Sequence, residues 1–261
     1  MEQQGANPFR VGAYRRAARS LRELREEVGE IAAREGNAGL QQIPGVGPSI
    51  AAAIEQVLRT GRWMQLARLR GEADPERLFQ TIAGVGPRLA RRIHDTLHVD
   101  TLEALETAAH DGRLETVPGI GRRRASAIRS LLANMLQRVR GRPATSGEEP
   151  SVAMLLDVDG EYRRLAQADR LPKIAPKRFN PTGEAWLPVL HTDRDGWHFT
   201  ALYSNTARAH ELRRIRDWVI IYFERDNRPE GQRTVVTETR GELVGKRVVR
   251  GREHEAAAAD A

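Results

Sequence analysis

Apolar residues in the first 140 positions recur at the three- and four-residue spacing of amphipathic helices. Asn7 followed by Pro8 is typical of a helix N-cap with proline in the first turn, so we expect the first helix to begin there. Arginines lie largely off the apolar stripe of this segment, which predicts one packed face and one solvated face. The stripe consists of Val11, Tyr14, Ala18, Leu21, Val28 and Ile31.

A nine-residue pattern occurs three times in this helical region. Each copy reads apolar-x-Gly-apolar-Gly and ends in Ala, and the first glycines of successive copies lie 39 and 35 residues apart. Apolar segments with helical periodicity precede and follow every copy, which predicts a helix, a two-glycine turn and a second helix each time. The copies occupy residues 43–51, 82–90 and 117–125.

Beyond residue 150 the pattern changes to short apolar runs that are typical of strands. A short helix from Asn205 to about Arg216 is expected between the second strand and the third. The order strand, strand, helix, strand, strand predicts a small α+β domain with a mainly antiparallel sheet. The predicted strands are 186–192, 197–204, 218–224, 233–239 and 247–250.

Polar and helix-breaking residues without apolar period fill positions 141–150, which we interpret as a linker. The sequence therefore predicts a multidomain α and α+β protein. Its parts are an all-helical domain with the three glycine turns at 1–140, the linker at 141–150, the α+β domain at 151–252 and a disordered tail at 253–261.

The excess positive charge belongs to the helical half. The chain carries 42 Lys+Arg and 35 Asp+Glu, a formal net charge of +7, and residues 1–145 hold 23 arginines against 16 acidic residues. Residues 146–261 have no net charge. A polyanionic partner is therefore expected to bind the first half.

Composition also excludes several classes of function. The chain contains no Cys, which excludes disulfides, thiolate nucleophiles, iron-sulfur clusters and thiolate zinc sites. It has no apolar run long enough to span a membrane, and its N-terminus lacks the pattern of a secretory signal. We expect a cytoplasmic, nucleoid-associated protein that has no membrane partner.

The paired glycines predict a phosphate-binding turn. Glycine adopts dihedral angles that other residues avoid, and it lets a ligand approach the backbone because no Cβ is in the way. The helix that follows presents free N–H groups and the positive end of its dipole, and both favour a phosphate oxygen. Because phosphate contacts carry no sequence information, we predict sequence-independent DNA binding. The predicted DNA-binding residues are Gly45, Val46, Gly47, Ser49, Gly84, Val85, Gly86, Arg88, Arg91, Gly119, Ile120, Gly121, Arg122, Arg123 and Arg124.

Residues 7–18 (NPFRVGAYRRAA), together with the three glycine turns, resemble the N-terminal DNA-binding region of bacterial family-X, polymerase-beta-like DNA polymerases. The resemblance covers about residues 7–140 and implies helix-hairpin-helix motifs that bind DNA phosphates at gaps or nicks during repair. We expect no required cofactor, but the resemblance implies a monovalent cation, K⁺ or Na⁺, at backbone carbonyls of the turns. Those carbonyls would belong to Gln41, Ile43 and Val46, to Gln80, Ile82 and Val85, and in the third copy to Glu115, Val117 and Ile120.

Departures from that family bear on catalysis. Ala53 stands at the position of the family's lyase lysine, and residues 1–172 contain no lysine at all. Asp157 and Asp159 have the alternate spacing of two metal-binding carboxylates on a strand, but no triphosphate-binding motif precedes them. The alternative interpretation is that one of them caps a helix. We therefore expect binding in preference to catalysis.

Two pairs of histidines have a spacing that could suit a metal. His191 and His198 would face each other if a four-residue loop joins their strands, and they would then be candidate metal ligands. A two-residue turn is expected to place them on opposite faces of the sheet instead. His94 and His98 have the spacing of a zinc-protease helix, but Asp95 stands where the catalytic Glu would be.

Other functions remain open from the sequence. The second domain would be the place for a metal-dependent, nuclease-like repair activity, or the chain would be a family-X relative without polymerase and lyase activity. A third interpretation makes the glycine turns a scaffold for a protein partner, and the second domain would also offer a surface for such a partner.

Overall fold

A computed structural model of the chain describes residues 8–61, 63–71, 74–140, 149–225, 230–239 and 241–255. The first half is helical and the second half is built around one sheet, as predicted. The helices of the first half are α1 (Pro8–Glu23), α2 (Val28–Leu40), α3 (Pro48–Thr60), α4 (Met64–Leu69), α5 (Pro75–Phe79), α6 (Pro87–Leu97), α7 (Leu102–His110) and α8 (Arg122–Arg140), with a short 3₁₀ helix at Arg113–Thr116.

Prolines and left-handed residues set several boundaries of these helices. Pro48 and Pro87 occupy the first turn of α3 and α6, where the missing N–H would have no intrahelical partner in any case. Gly61 and His98 end the same two helices in the left-handed conformation. Asn7, the predicted cap of α1, lies outside the described residues.

The apolar stripe predicted near the N-terminus is divided between α1 and α2. Ala17 is the buried alanine of α1, whereas Ala18 is exposed. The prediction was therefore wrong by one position. Ala17 is buried because the first glycine turn packs closely against it. A Cβ on Gly45 would lie 3.3 Å from the backbone nitrogen of Ala17.

In its described residues, the second half contains a helix, α9 (Val152–Gln167), six strands and a short helix, α10 (Ala207–Glu211). The strands are β1 (Lys173–Ile174), β2 (Leu187–Arg194), β3 (Trp197–Tyr203), β4 (Val219–Glu224), β5 (Gly231–Thr237) and β6 (Arg247–Val249). They neighbour one another in chain order, and every pair is antiparallel. The five predicted strands correspond to β2 through β6, whereas β1 was not predicted and α10 is shorter than expected.

Helix α9 covers one face of the sheet. The Ser151 side chain caps it by accepting a 3.2 Å hydrogen bond from the Met154 N–H. On its packed side, the Tyr162 hydroxyl donates to the Pro188 carbonyl at 3.0 Å and accepts from the Tyr203 N–H at 2.8 Å. A helix was expected here only from a cap at Asp157 or Asp159 onward, so the buried first half of α9 was not predicted.

Both interpretations of the acidic pair in α9 were wrong. Asp157 and Asp159 lie in the middle of the helix, so they neither cap it nor line a strand. Residues two apart on a helix point in different directions. Asp157 is accordingly exposed, whereas Asp159 is buried.

The other face of the sheet is polar and packs against the helical half. Arg68 of α4 donates two hydrogen bonds, of 3.0 and 2.8 Å, to Glu230, and its guanidinium carbon lies 3.2 Å from the centre of the Tyr222 ring. The carbonyl of His98 accepts from Gln232 Nε2 at 2.8 Å and from Thr234 Oγ1 at 3.2 Å. Buried polar contacts therefore join the two halves.

The predicted linker and tail are described only in part. Residues 141–148 and 256–261 lie outside the described residues. Glu149 accepts two hydrogen bonds of 2.9 Å from Arg233, and residues 253–255 are helical, with Arg252 donating to Glu255 at 2.8 Å. Among the helices that are described, none has both the length and the apolar character to cross a membrane.

Arg247 neutralises the buried Asp159, to which it donates at 2.9 and 2.6 Å, and it also donates to Asp217 at 2.8 Å. Without Arg247, Arg163 would remain near Asp159, at 3.9 Å. We expect Arg247→Met to lower the free energy of unfolding by about 3–5 kcal/mol, because a buried charge loses its partner. Urea denaturation measures the loss. The double variant Arg247→Met/Asp159→Asn recovers part of it, and a double variant as unstable as the single one contradicts this account.

Candidate nucleic-acid interface

Each of the three glycine turns is closed by the same backbone hydrogen bond. We name the turns hairpin 1 (residues 41–47), hairpin 2 (80–86) and hairpin 3 (115–121). The N–H of the residue between the two glycines donates to the carbonyl three residues earlier in every hairpin. These bonds run from Val46 to Ile43 at 2.9 Å, from Val85 to Ile82 at 3.0 Å and from Ile120 to Val117 at 2.9 Å.

The two glycines of a hairpin have different roles. The first glycine has a φ of +80° at Gly45, +81° at Gly84 and +89° at Gly119, a region that side chains other than glycine rarely adopt. The second glycine has an ordinary φ, which is −87° at Gly47 and −82° at Gly86. No atom lies within 4 Å of a Cβ built on Gly47, Gly86 or Gly121, so there the glycine leaves open space.

The residue between the glycines is buried, while the glycines themselves are exposed. Val46, Val85 and Ile120 each retain less than 5% of their accessible surface. They pack in the apolar cores beneath the hairpins. All six glycines of the three hairpins are exposed.

Each hairpin leads directly into the N-terminus of a helix. The first intrahelical bonds run from Ala51 to Gly47, from Ala90 to Gly86 and from Ala125 to Gly121, at 2.9 to 3.0 Å. The backbone N–H groups that precede these first bonded residues have no intrahelical carbonyl as acceptor. They include those of Gly47 at the end of hairpin 1 and of Ser49 in the first turn of α3, and Ser49 itself is half-buried. The arrangement suits an anion at each turn.

The predicted arginines at hairpins 2 and 3 are exposed, but their surroundings differ. Arg88 and Arg123 are exposed at the first turns of α6 and α8. Arg122 lies 3.7 Å from Glu115, and Arg91 lies 3.5 Å from Asp95. Exposed ion pairs of this length are weak, so they leave these side chains available to another anion.

Two other arginines bind the backbone of hairpin 3. Arg92 of α6 donates to the Pro118 carbonyl at 3.1 Å, and Arg124 donates to the Gly119 carbonyl at 3.0 Å. Arg124 was predicted as a DNA-binding residue, and in the structure its guanidinium is engaged by the hairpin. The bond from Arg92 ties the helix after hairpin 2 to hairpin 3.

Hairpin 1 has no arginine in the first turn of its helix, and α1 brings one beside it. A Cβ on Gly45 would lie 3.2 Å from the Cβ of Arg16, and Arg16 is exposed. Sequence reasoning missed this residue as a site candidate, because Arg16 is far from the hairpin along the chain. The available signal was the run of arginines opposite the apolar stripe of α1.

Comparison with known proteins assigns the hairpins to a family. The family model of a helix-hairpin-helix domain matches residues 1–63, and that of a SAM-like helix-hairpin-helix tandem matches residues 76–133. A Holliday junction branch migration complex subunit RuvA from Syntrophobacter fumaroxidans is 30% identical over 137 residues, which are 52% of this chain and 68% of that protein. The chain belongs to the helix-hairpin-helix family, and RuvA is among its relatives.

Further relatives of this helix-hairpin-helix protein show how widely the hairpins are shared. RuvA from Methylibium petroleiphilum is 30% identical over 132 residues, 48% of this chain and 68% of that protein. The DNA polymerase/3'-5' exonuclease PolX from Bacillus subtilis is 25% identical over 130 residues, 49% of this chain but only 22% of that protein. The predicted motif is confirmed. The assignment to family X stays a prediction, since RuvA, which sequence reasoning did not name, matches at higher identity.

The histidines of the sheet lie on one face but are not directly opposed. His191 pairs with Thr200 and His198 with Asp193, around a two-residue turn at 195–196. The expectation that such a turn separates the histidines was wrong, because removing two residues from a loop shifts the register by two and preserves the face. His191 Nδ1 lies 3.0 Å from Thr200 Oγ1, and His198 Nδ1 lies 2.6 Å from Asp193 Oδ1. Among the described residues, no set of three His, Asp or Glu ligand atoms converges around either histidine.

We expect the two glycines of hairpin 2 to respond oppositely to alanine. Gly84→Ala should lower the free energy of unfolding by about 1 kcal/mol or more, because alanine resists the positive φ at that position. Gly86→Ala should be neutral or stabilising by up to about 1 kcal/mol, since its φ is ordinary and its Cβ meets no atom. Chemical denaturation of both variants measures the difference, and equal effects would contradict separate roles for the glycines.

His191 should make stability depend on acidity. Burial, reinforced by the charge of Arg10, lowers the pKa of His191 to about 4 in the folded protein, against about 6.5 in an unfolded chain. The unfolded chain therefore binds the extra proton between pH 6.5 and 4, so this contribution to stability is complete above pH 6.5 and is lost as the pH falls. We expect a loss of at most about 3 kcal/mol from this group. His191→Gln should unfold with a shallower acid dependence between pH 7 and 5, and a profile parallel to that of the wild type would refute the assignment.

Proposed function

We propose that this helix-hairpin-helix protein binds DNA without sequence preference, with one phosphate contacted at each of the three hairpins. The observation that supports the proposal is the repetition of one backbone geometry at three exposed turns. Each has a closed hairpin, an exposed glycine pair and a helix N-terminus directly behind it.

The electrostatics of the hairpins favour a phosphate over an uncharged ligand. Amides in the first turn of a helix and the positive end of its dipole both attract an anion. Exposed arginines lie beside the hairpins, at Arg16, Arg88, Arg122 and Arg123. The open space at the second glycine leaves room for a phosphate oxygen against the backbone.

The proposed substrates are nicked, gapped or branched DNA in repair or recombination. The relatives are named for a Holliday junction branch migration complex and for a DNA polymerase with 3'-5' exonuclease activity. Several backbone contacts without base contacts let a protein respond to the shape of the DNA. A nick, gap or junction differs from intact duplex in that shape.

We propose a monovalent cation, K⁺ or Na⁺, at the carbonyls of hairpins 1 and 2. The Ile43 and Ile82 carbonyls each accept one hydrogen bond, from Val46 and Val85. A carbonyl oxygen has a second lone pair, which would remain for the cation. We propose that such an ion would add positive charge where the phosphate binds.

The second half acts, in this proposal, as a support that fixes the helical half. Its polar face binds α4 and the segment after α6 through Arg68 and His98. Asp157 and Asp159, the candidate carboxylates for a metal-dependent enzyme, point in different directions on α9. They therefore do not support a two-metal site. A surface of the second half for a protein partner remains a prediction.

The second glycines provide the test, because alanine fits there without strain at Gly47 and Gly86. We expect Gly47→Ala/Gly86→Ala/Gly121→Ala to keep the wild-type melting temperature and to bind nicked, gapped and four-way-junction DNA at least 10-fold more weakly, since three methyl groups block the phosphates. Fluorescence anisotropy at 100 mM salt measures the affinity. For the wild type, the log–log slope of affinity against salt should be about −3 to −5.

Gly160→Ala is the matched control. Gly160 is an exposed glycine of α9 whose Cβ would also meet open space, so the same chemical change is made away from the hairpins. It should leave DNA affinity unchanged. Wild-type affinity in the folded triple variant, or a flat response to salt, would refute phosphate binding at the hairpins.

A further inference from the structure

One ring nitrogen of a buried histidine is held by a carboxylate at the contact between the two halves. His94 of α6 is 3% exposed, and its Nε2 lies 2.9 Å from Asp100 Oδ1. Asp100 is itself fixed, because it accepts a hydrogen bond from the Tyr222 hydroxyl and donates its backbone N–H to Gln232 at 2.9 Å. The orientation of the imidazole is therefore set from the side of the sheet.

The other ring nitrogen of His94 has no hydrogen-bond partner, although it is buried. This atom, Nδ1, lies 3.9 Å from Glu76 Oε1 of α5. Asp95, the next residue of α6, also has a buried carboxylate oxygen without a partner. Ligand atoms of Glu76, His94 and Asp95 all lie within 4.8 Å of one another.

We propose that Glu76, His94 and Asp95 form a binding site for a divalent transition-metal ion of the Zn²⁺ class. One imidazole nitrogen and two carboxylate oxygens are ligands that such ions accept. Metal-bound histidines characteristically donate their other ring N–H to a carboxylate, which is the relation of His94 to Asp100. Water would complete the coordination, because three protein ligands leave positions open.

A proton competes with the metal ion for His94 Nδ1. The charged groups around it include Asp100, Glu76 and Asp95. Arg178 donates to Glu76 Oε1 at 2.6 Å, and Arg91 lies 3.5 Å from Asp95. Burial lowers the pKa of His94, but the hydrogen bond to Asp100 and the nearby Glu76 carboxylate raise it to about 9 on balance. An imidazole nitrogen binds a metal ion only in its unprotonated form, so the ion and a proton cannot occupy Nδ1 together. Arg178 would remain as an outer partner of Glu76.

The position of the site gives the ion a structural consequence. Glu76 is on the helix before hairpin 2, and His94 and Asp95 are on the helix after it. An ion bound to all three would fix α5 against α6. The site does not depend on the proposed DNA binding, so either can fail without the other.

Zinc uptake by the full chain tests the proposal. Protein stripped of metal by a chelator is titrated with zinc sulfate at pH 8 by calorimetry, and its melting temperature is followed in parallel. We expect one Zn²⁺ per chain at this site and a higher melting temperature on binding. Asp95→Asn should bind at least 10-fold more weakly, because it removes a charged ligand and nearly preserves side-chain shape. Asp100→Asn should also weaken binding, by about 10- to 100-fold, through the orientation of His94.

Asp157→Asn is the matched control, because it removes a carboxylate that likewise pairs with an arginine, here Arg194 at 3.0 Å, but lies away from the proposed site. It should bind zinc as the wild type does. The proposal is overturned if the wild type takes up no zinc, or if folded Asp95→Asn binds it with wild-type affinity and stoichiometry.

Discussion

A single main-chain hydrogen bond, from the residue between two glycines to the carbonyl three residues earlier, determines the form of each hairpin. The chain can close this bond because the first glycine has a positive φ. When this bond forms, the side chain between the two glycines points into the apolar core and both glycines lie at the surface. The following helix then starts at the surface with its amides exposed. Burial of one residue and exposure of its neighbours are thus two results of the same turn.

The halves of the molecule depend on each other through the polar face of the sheet. Tyr222 stands at the centre of this contact, with the Arg68 guanidinium on its ring and its hydroxyl bound to Asp100. Asp100 in turn holds His94 of the helix that follows hairpin 2. The position of a hairpin helix is therefore linked by direct contacts to a strand more than a hundred residues away in the chain.

Much of the fold was predictable because local patterns determine it. The glycine repeat indicated the hairpins, and the apolar runs indicated β2 through β6. The start of α9 was missed because Asp157 or Asp159 was interpreted as its cap, although Val152, Leu155, Val158 and Tyr162 have helical spacing. The zinc-protease spacing pointed to His98 as the partner of His94, but α6 ends at Leu97 and the His98 ring lies 4.1 Å from that of Trp218. Glu76 approaches His94 only through the packing of α5 on α6, which no local pattern encodes.

The apolar cores beneath the hairpins are divided unequally. Val46 belongs to a small core formed by α1, α2 and α3, whereas Val85 and Ile120 share a larger one. The bond from Arg92 to Pro118 further joins hairpins 2 and 3. Hairpins 2 and 3 therefore share one rigid support, whereas hairpin 1 rests on a separate core. If the proposed function holds, a duplex that contacts all three hairpins must follow the angle between the two cores. Affinity would then depend on the curvature of the DNA.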